Sequence, residues 1–260
     1  MSQNHNYALN FDGSDDYIQL GQLTGIDSTS NTLELWIKVP VVGTGGLTSS
    51  ERVGIILGGY NSTPHFNYEI TTNGRPRVYW NNGEVNLTAS STYDVRDGKW
   101  HHLAYVRDVT NNFIKIFLDG NEIAASTSAG TNINMTVPQR IGRDNRTSGT
   151  THNFHGSMDE LRIWDYAKSE TEIRASMCST VDPNSTGLLS YYNFNVSSDT
   201  FLIDQTGTLG GNLQNFGFTG NVSNWFVSDA PFGDVSVYDY AVSSTSVITT
   251  GTSCSPAFCA

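Results

Sequence analysis

The chain has 260 residues, with 25 acidic and 14 basic side chains and a formal net charge of −11. This balance excludes a nucleic-acid binder, because binding DNA or RNA needs a basic stripe that releases counterions. No apolar run approaches the ~18 residues of a membrane-spanning helix, so membrane insertion is not expected. Only 15 % of the residues are charged. Asn, Ser, Thr and Gly are abundant, which is typical of an extracellular β-protein.

Short alternating segments dominate the chain and predict strands. Residues 32–39 show the pattern most clearly, because Leu33, Leu35 and Ile37 fall on one face while Glu34 and Trp36 fall on the other. Turn residues separate the segments. The predicted strands, in chain order, are 7–11, 16–20, 32–39, 53–57, 65–71, 75–80, 84–88, 99–107, 113–118, 122–125, 138–142, 154–164, 187–194, 201–204 and 221–227.

Turn dipeptides predict how some of these strands connect. The Asp-Gly-Ser-Asp segment at 12–15 has the signature of a hairpin between the first two strands. The dipeptides at 73–74 and 82–83 are both Asn-Gly, which favours type I′ turns. The Asp-Gly pair at 119–120 predicts a further hairpin.

One short helix is predicted near 169–177. Ser169 can cap it, Glu172 occupies the capping-box position, and Ile173 and Met177 lie four residues apart. Many short strands with one helix indicate a two-sheet sandwich. The pattern fades near residue 230, so we expect one domain over 5–230 and a Ser/Thr/Gly-rich tail or linker over 231–260. The alternative is that the tail packs as a final strand.

The first residues have neither the charged nor the apolar region of a signal peptide. We therefore expect a piece of a longer, secreted multidomain chain, with an intracellular protein as the alternative. The chain has three cysteines, so one is unpaired or bonds outside this sequence, and all three could be free thiols. Their spacing fits no zinc site. They are Cys178, Cys254 and Cys259.

Three segments, taken together and in order, resemble a known family. They are 8–18, then 97–106 leading to 117–122, then 156–167 leading to Ile173. They are similar to the laminin-G-like jelly roll of the concanavalin-A-like lectin/glucanase superfamily, in its bacterial secreted form, over roughly residues 5 to 178. The segments 188–194 and 212–216 are similar to that family's final strands. The resemblance implies an all-β jelly-roll sandwich of two curved antiparallel sheets, extracellular or cell-surface use and often a structural calcium.

Calcium takes six to eight oxygen ligands, from carboxylates and carbonyls. Asp12 and Asp159 lie in the two motifs that, by the resemblance, meet where the first strand pairs near the last. Asp159 is flanked by apolar residues, an unfavourable place for an unpaired carboxylate. The alternative is a salt bridge from Asp159 to Arg162 or a turn hydrogen bond, and we interpret Asp15 and Asp16 as solvated turn residues. The candidate metal ligands are Asp12, Asp159, Asn10, Gly43 and Gly45.

Sugar sites combine aromatic faces with planar amide and charged groups that bind hydroxyls. Trp80 borders an Asn-Gly turn, so we expect it to be exposed and able to stack on a sugar. The motif tryptophans Trp36, Trp100 and Trp164 are expected to fill the core or the sheet faces instead. The candidate ligand-binding residues are Tyr60, Asn61, Trp80, Asn81, Asn82, Arg143, Asp144 and His152.

Catalysis is not expected, because the chain contains no Glu-x-Asp-x-Glu strand that would pair two carboxylates on one face. Asp159 and Glu160 are neighbours, which should point to opposite faces of a strand. His101 and His102 should also face opposite sides and make a poor metal pair. The sequence therefore predicts a non-catalytic extracellular module that binds polysaccharide or cell-surface glycan. The alternatives are a protein-interaction, adhesion or spacer module, and a divergent glycoside hydrolase or lyase.

Overall fold

The structure is a computed structural model that describes residues 6–44, 54–59, 66–80, 84–131, 138–144, 152–220 and 223–231. These ranges contain sixteen strands and one helix, as the sequence pattern predicted in outline. The elements are β1 (Tyr7–Asp12), β2 (Tyr17–Gln19), β3 (Asn31–Lys38), β4 (Gly54–Gly59), β5 (Phe66–Ile70), β6 (Pro76–Trp80), β7 (Val85–Thr88), β8 (Trp100–Asp108), β9 (Phe113–Leu118), β10 (Asn121–Ser126), β11 (Arg140–Ile141), β12 (His155–Trp164), α1 (Glu170–Ser176), β13 (Leu188–Tyr192), β14 (Phe201–Leu202), β15 (Gly211–Gln214) and β16 (Trp225–Val227).

The strands form two antiparallel sheets that pack face to face. Sheet I has the order β10-β9-β8-β3-β12-β1-β16, and β13 also pairs with β12. Sheet II has the order β14-β15-β2-β11-β4-β5-β6-β7. Strands that are neighbours in a sheet are often far apart in the chain, as expected for a jelly roll. The predicted all-β sandwich with one short helix is confirmed.

The core lies between the sheets and follows the predicted alternation. Leu33, Leu35 and Ile37 of β3 are at most 1 % exposed and point inward. They pack in one cluster with residues of sheet II such as Ile18 and Tyr68. Burying each such side chain stabilises the fold by roughly 1.5–3 kcal/mol, so this cluster is what holds the two sheets together.

The first two strands do not form the predicted hairpin. β1 pairs with β12 and β16 in sheet I, whereas β2 pairs with β11 and β15 in sheet II. Phe11 of β1 and Ile18 of β2 are both fully buried in the core between the sheets. The turn at 12–15 therefore carries the chain from sheet I to sheet II. In this arrangement the apolar face of β1 and the apolar face of β2 both point into the core between the sheets.

The Asn-Gly turn at 73–74 also differs from the prediction. Gly74 has a positive φ of 70°, but Asn73 is not among the positive-φ residues, and a type I′ turn needs both. The N–H of Thr71 donates to the carbonyl of Arg75, so three residues form the loop. At the other predicted hairpin, Asp119 and Gly120 both have positive φ, as a type I′ turn requires. The pair at 82–83 lies outside the described residues.

Helix α1 covers the outward face of sheet I. Ser169 and Glu172 form the predicted capping box. Ile173 is fully buried and packs on Ala104 and Val106 of β8. The indole N–H of Trp36 donates to the carbonyl of Met177 at 2.8 Å, just past the helix. The outward side of β3 is therefore buried as well.

Buried charges hold α1 to sheet I. The Arg162 guanidinium donates to Glu160 at 2.5 Å and to the carbonyls of Ser176 and Ser179 at 3.0 and 2.6 Å. The Lys168 ammonium donates to Glu34 at 2.8 Å. Each of these charged side chains is at most 3 % exposed, so each needs its partner.

The expectation that Asp159 and Glu160 face opposite sides is wrong. Glu160 has a φ of 53°, and the pairing of β12 with β3 shifts register between Asp159 and Arg162. This β-bulge turns Glu160 to the same side as Arg162, while Leu161 enters the core. Two neighbouring carboxyl groups therefore point outward from sheet I.

Cys178, which follows α1, is disulfide-bonded, so the reading of three free thiols is wrong. The other two cysteines, Cys254 and Cys259, lie outside the described residues. In the described part of the chain, none of the helical segments is long and apolar enough to cross a membrane.

The two adjacent histidines of β8 have opposite pKa shifts. Burial lowers the pKa of His102 to about 4, although Glu34 opposes the shift. For His101, burial would lower the pKa, but Asp119 at 2.8 Å and Asp97 at 3.1 Å raise it overall. Neutral His102 therefore stabilises the fold above pH 6.5, and this stability is lost as the pH falls through about 4. Charged His101 stabilises the fold below pH 6.5, and this stability is lost as the pH rises through its raised pKa.

We predict that His102→Gln flattens the acid-side loss of stability, by about 3 kcal/mol between pH 7.5 and pH 4. His101→Gln, on the same strand, should steepen that loss because its charged form no longer contributes. Urea unfolding at several pH values measures both effects. Parallel shifts of the two variants would contradict the assignment.

Candidate functional site

One row of side chains crosses all eight strands of sheet II on its outward side. The row follows from the pairing registers, and its neighbouring row, which includes Ile18, Leu57 and Val78, points into the core. Helix α1, the one helix in the described ranges, packs on the other sheet. We call this set the outward row: Phe201, Asn212, Gln19, Arg140, Gly58, Asn67, Tyr79 and Asn86.

The outward row combines two aromatic rings, four amides and one guanidinium group. Its centre at Gly58 and Asn67 is buried, Arg140 and Tyr79 are half-buried, and Phe201 is 41 % exposed. Gly58 leaves a gap in the row because it has no side chain. Aromatic faces, amides and guanidinium groups on one surface can contact the C–H faces and the hydroxyls of a polar ligand.

Three of the predicted ligand-binding residues lie together beside the outward row. The guanidinium groups of Arg140 and Arg143 lie 4.5 and 5.3 Å from the ring centre of Tyr17. Asp144 is fully buried, and His152 Nδ1 lies 3.3 Å from its carboxylate. Burial lowers the pKa of Arg140, and the nearby Arg143 lowers it further. The structure therefore groups Arg143, Asp144 and His152 next to β11.

The expectation that Trp80 is exposed is wrong. Its side chain is fully buried, because β6 alternates so that Trp80 points into the core with Val78. Its ring packs against Phe66 and Tyr68, and the Arg107 guanidinium lies 4.7 Å from its centre. Trp80 is therefore a core residue and not a platform for a ligand. By contrast, Trp36 and Trp164 are 4 and 5 % exposed, as predicted.

Five predicted site residues lie outside the described residues: Tyr60, Asn61, Asn81, Asn82 and Gly45. Gly43 lies in the turn after β3, where the N–H of Thr44 donates to the carbonyl of Val41. Its place in a metal site stays a prediction.

Asp12 and Asp159 are too far apart to bind one ion, so this candidate pair is corrected. In the pairing of β1 with β12, Asp12 lies opposite His155, four residues from Asp159. Four strand residues span about 13 Å, whereas calcium–oxygen bonds are only 2.3–2.6 Å long. The other strand candidate, Asn10, accepts a hydrogen bond from Ser157 at 2.9 Å.

Asp159 is held by protein groups. Its carboxyl group is fully buried and accepts hydrogen bonds from Ser228 at 2.6 Å and from Asn6 at 3.3 Å. Burial raises the pKa of Asp159 well above its usual range. The alternative of a salt bridge from Asp159 to Arg162 is not what the structure shows, because Arg162 pairs with Glu160 at 2.5 Å.

The acidic residues that meet are Asp12, Asp15 and Asp16, whose carboxylate oxygens lie within 4.8 Å of one another. Asp15 is exposed as expected, but Asp16 is fully buried, which corrects its interpretation as a solvated residue. Asp16 accepts from the N–H of Asp12 at 2.8 Å and from Ser223 at 2.9 Å. Burial raises the pKa of Asp16 to about 6.

Sequence reasoning missed most of the outward row, and only part of it carried a signal. The alternation in 65–71 and 75–80 could have placed Asn67 and Tyr79 opposite the core residues. No local pattern predicts that β11 lies between β2 and β4. Gln19 and its hydrogen-bond partner Gln139 are 120 residues apart in the chain.

A family model described as the concanavalin A-like lectin/glucanases superfamily, of the laminin G type, matches residues 12–174. The chain belongs to this superfamily.

The superfamily fold is also found in solved structures similar to this chain. A Bacteroides ovatus protein to which carbohydrate binding is ascribed is 23 % identical, with a TM-score of 0.67 over 88 % of this chain and 62 % of its own. A heptameric SAP-like pentraxin from Limulus polyphemus is 13 % identical, with a TM-score of 0.52 over 82 % of this chain and 97 % of its own. At these identities both show the fold alone.

One curated relative is a rat protein with sushi, von Willebrand factor type A, EGF and pentraxin domains. It is 27 % identical over 111 residues, which are 39 % of this lectin-like chain. The chain spans only 3 % of the length of that relative. The similarity thus concerns one domain of a much larger protein.

We predict that Trp80→Ala destabilises this lectin-like domain by about 3–5 kcal/mol, because it leaves a cavity where a large aromatic side chain was fully buried. Denaturant unfolding measures the loss. Trp100→Ala is the matched control, since Trp100 is only half-buried and should cost much less. Equal losses in the two variants would contradict the core position of Trp80.

Proposed function

We propose that this domain is a non-catalytic extracellular or cell-surface module that binds polysaccharide or cell-surface glycan. The outward row carries this proposal, because it places aromatic, amide and guanidinium groups on one sheet face, with Phe201, Asn212 and Asn86 exposed and Arg140 and Tyr79 half-buried. The carbohydrate binding ascribed to the Bacteroides ovatus protein is consistent with it. We further propose that residues 5–230 form the module and 231–260 a tail or linker within a longer chain.

Two carboxylates that border the outward row lie against basic side chains. Glu69 pairs with Arg77, and Asp144 lies beside His152. A retaining glycosidase needs two carboxyl groups about 5–5.5 Å apart that can reach the substrate. The pairing of Glu69 and Asp144 with basic groups therefore supports binding rather than hydrolysis.

We propose a structural calcium at the turn between β1 and β2. Asp12, Asp15 and Asp16 would hold it, because they supply hard carboxylate oxygens within 4.8 Å of one another. The buried Asp16, whose pKa is raised to about 6, fits this use, since a cation would favour its charged form. A bound ion would fix the turn that carries the chain from sheet I to sheet II.

We predict that Ca²⁺ raises the melting temperature of the protein and that EDTA reverses the rise. Asp16→Asn should abolish this response. Asp159→Asn should keep it, because Asp159 lies on β12 four residues beyond His155, the residue opposite Asp12. Differential scanning fluorimetry and elemental analysis provide the readout. A Ca²⁺ response that Asp159→Asn removes and Asp16→Asn retains would contradict the placement.

We also predict that Tyr79→Ala and Phe201→Ala each weaken polysaccharide binding about tenfold, which corresponds to ~1.4 kcal/mol. Both side chains lie in the outward row. Tyr166→Ala is the matched control, since it removes a half-buried tyrosine near α1 on the opposite side of the sandwich. A glycan array followed by titration calorimetry measures the affinities.

If the protein binds none of the polysaccharides on the array, the proposal is contradicted and a protein-interaction, adhesion or spacer module is favoured. Release of reducing sugar from a bound polysaccharide would instead establish a hydrolase.

A further inference from the structure

We propose that the ligand of sheet II is an acidic polysaccharide, whose carboxylate or sulfate groups bind two arginine sites on the outward face. The first is a cavity at the Arg75 end of β6, and the second is the Arg140–Arg143 pair next to β11. This inference rests on the proposed function and specifies the chemical class of the glycan.

The cavity has a volume of about 210 Å³ and opens beside the three-residue loop between β5 and β6. Two arginines and four hydroxyl or amide side chains form its wall, and none of the described residues in this wall is apolar. A polar group that carries negative charge therefore suits it better than an apolar one. Its lining consists of Thr71, Thr72, Asn73, Arg75, Arg77 and Thr88.

The two arginines of the cavity differ in how they are neutralised. Arg77 pairs with Glu69. The Arg75 guanidinium makes one hydrogen bond, to the carbonyl of Ala89 at 3.3 Å, and its Nε is buried without an acceptor. A guanidinium has five N–H donors in a planar fork that matches a carboxylate or sulfate. Arg75 thus retains a charge and donors for an anionic group.

The second site has the same chemistry. Arg140 donates to Gln19 at 2.8 Å and to the carbonyl of Asp144 at 3.1 Å, both of which are uncharged oxygens. Arg143 lies over the same Tyr17 ring, and its buried Nε also has no acceptor. Two guanidinium groups beside one ring repel each other, and an anion between them would relieve the repulsion.

These arginines contrast with the acidic balance of the whole chain, which has a net charge of −11. Among the described residues next to them, Glu69 pairs with Arg77, Asp94 pairs with Arg96, and Asp144 lies beside His152. A local positive surface attracts anionic groups within about 8–10 Å, and salt screens the charges of the rest of the chain beyond that distance.

The spacing of the two sites calls for an extended ligand. Arg140 on β11 and Tyr79 on β6 are separated by three inter-strand spacings in the outward row. Arg77 lies on β6 two residues before Tyr79. Three steps of about 4.8 Å span roughly 14 Å. One sugar ring cannot reach both sites, whereas a chain of charged sugars is long enough to do so, with an uncharged face on the half-buried Tyr79.

The test measures the affinity of the 260-residue chain for polygalacturonate, a sulfated galactan, a neutral galactan and duplex DNA. Arg75→Gln and Arg143→Gln should each weaken binding of the acidic polysaccharide about tenfold. Lys99→Gln is the matched control, because it also removes one positive charge, from a side chain 77 % exposed beside sheet I. Circular dichroism and melting temperatures check that each variant folds.

We expect tight binding of polygalacturonate or the sulfated galactan, weakening as NaCl rises from 50 to 500 mM. Preference for one of the two identifies the anionic group. Binding of the neutral galactan at equal affinity, or equal effects of Lys99→Gln and the two arginine variants, would overturn this inference and leave the proposed function standing. DNA binding as tight as polygalacturonate binding would also overturn it. If the protein binds none of the polysaccharides tested, both this inference and the proposed function are refuted.

Discussion

The arrangement of the molecule depends on one buried guanidinium group. Arg162 lies between sheet I and the end of α1, and it donates hydrogen bonds to Glu160, to the carbonyl of Ser176 at the end of α1 and to the carbonyl of Ser179 after it. The charged group is 1 % exposed, so removing any partner would leave an uncompensated charge in a low-dielectric environment. This requirement fixes α1 on sheet I and keeps the helix away from sheet II.

The outward sides of the two sheets therefore differ. Sheet I buries its outward side beneath α1 and the residues after it, where Trp36, Glu34 and His102 are at most 4 % exposed. The residues after β16 also cross it, since Ser228 bonds the buried Asp159. Sheet II carries the outward row and the two arginine sites. The outward side of sheet I is thus buried, whereas the outward side of sheet II carries the residues that we propose bind a ligand.

The candidate site shows which features can be predicted from short sequence segments and which cannot. Grouping Arg143, Asp144 and His152 needed only their closeness in sequence, and the structure brings them together. Trp80 was misread because a residue beside a turn can still obey the inward alternation of its strand. Asp12 and Asp159 were paired correctly as members of neighbouring strands, but register decides which residues meet, and four positions of offset separate them. The outward row needed the order of strands distant in the chain.

The sequence by itself determined the superfamily, the two-layer β architecture, the inward faces of most strands and the capped helix, because these depend on alternation, caps and motifs within short segments. Only the tertiary structure decided that β1 and β2 lie in different sheets, that Glu160 sits in a bulge and that Asp16 is buried. It also decided which arginines pair with a carboxylate among the described residues. These features arise from contacts between residues far apart in the chain, where packing of the shared core outweighs local preference.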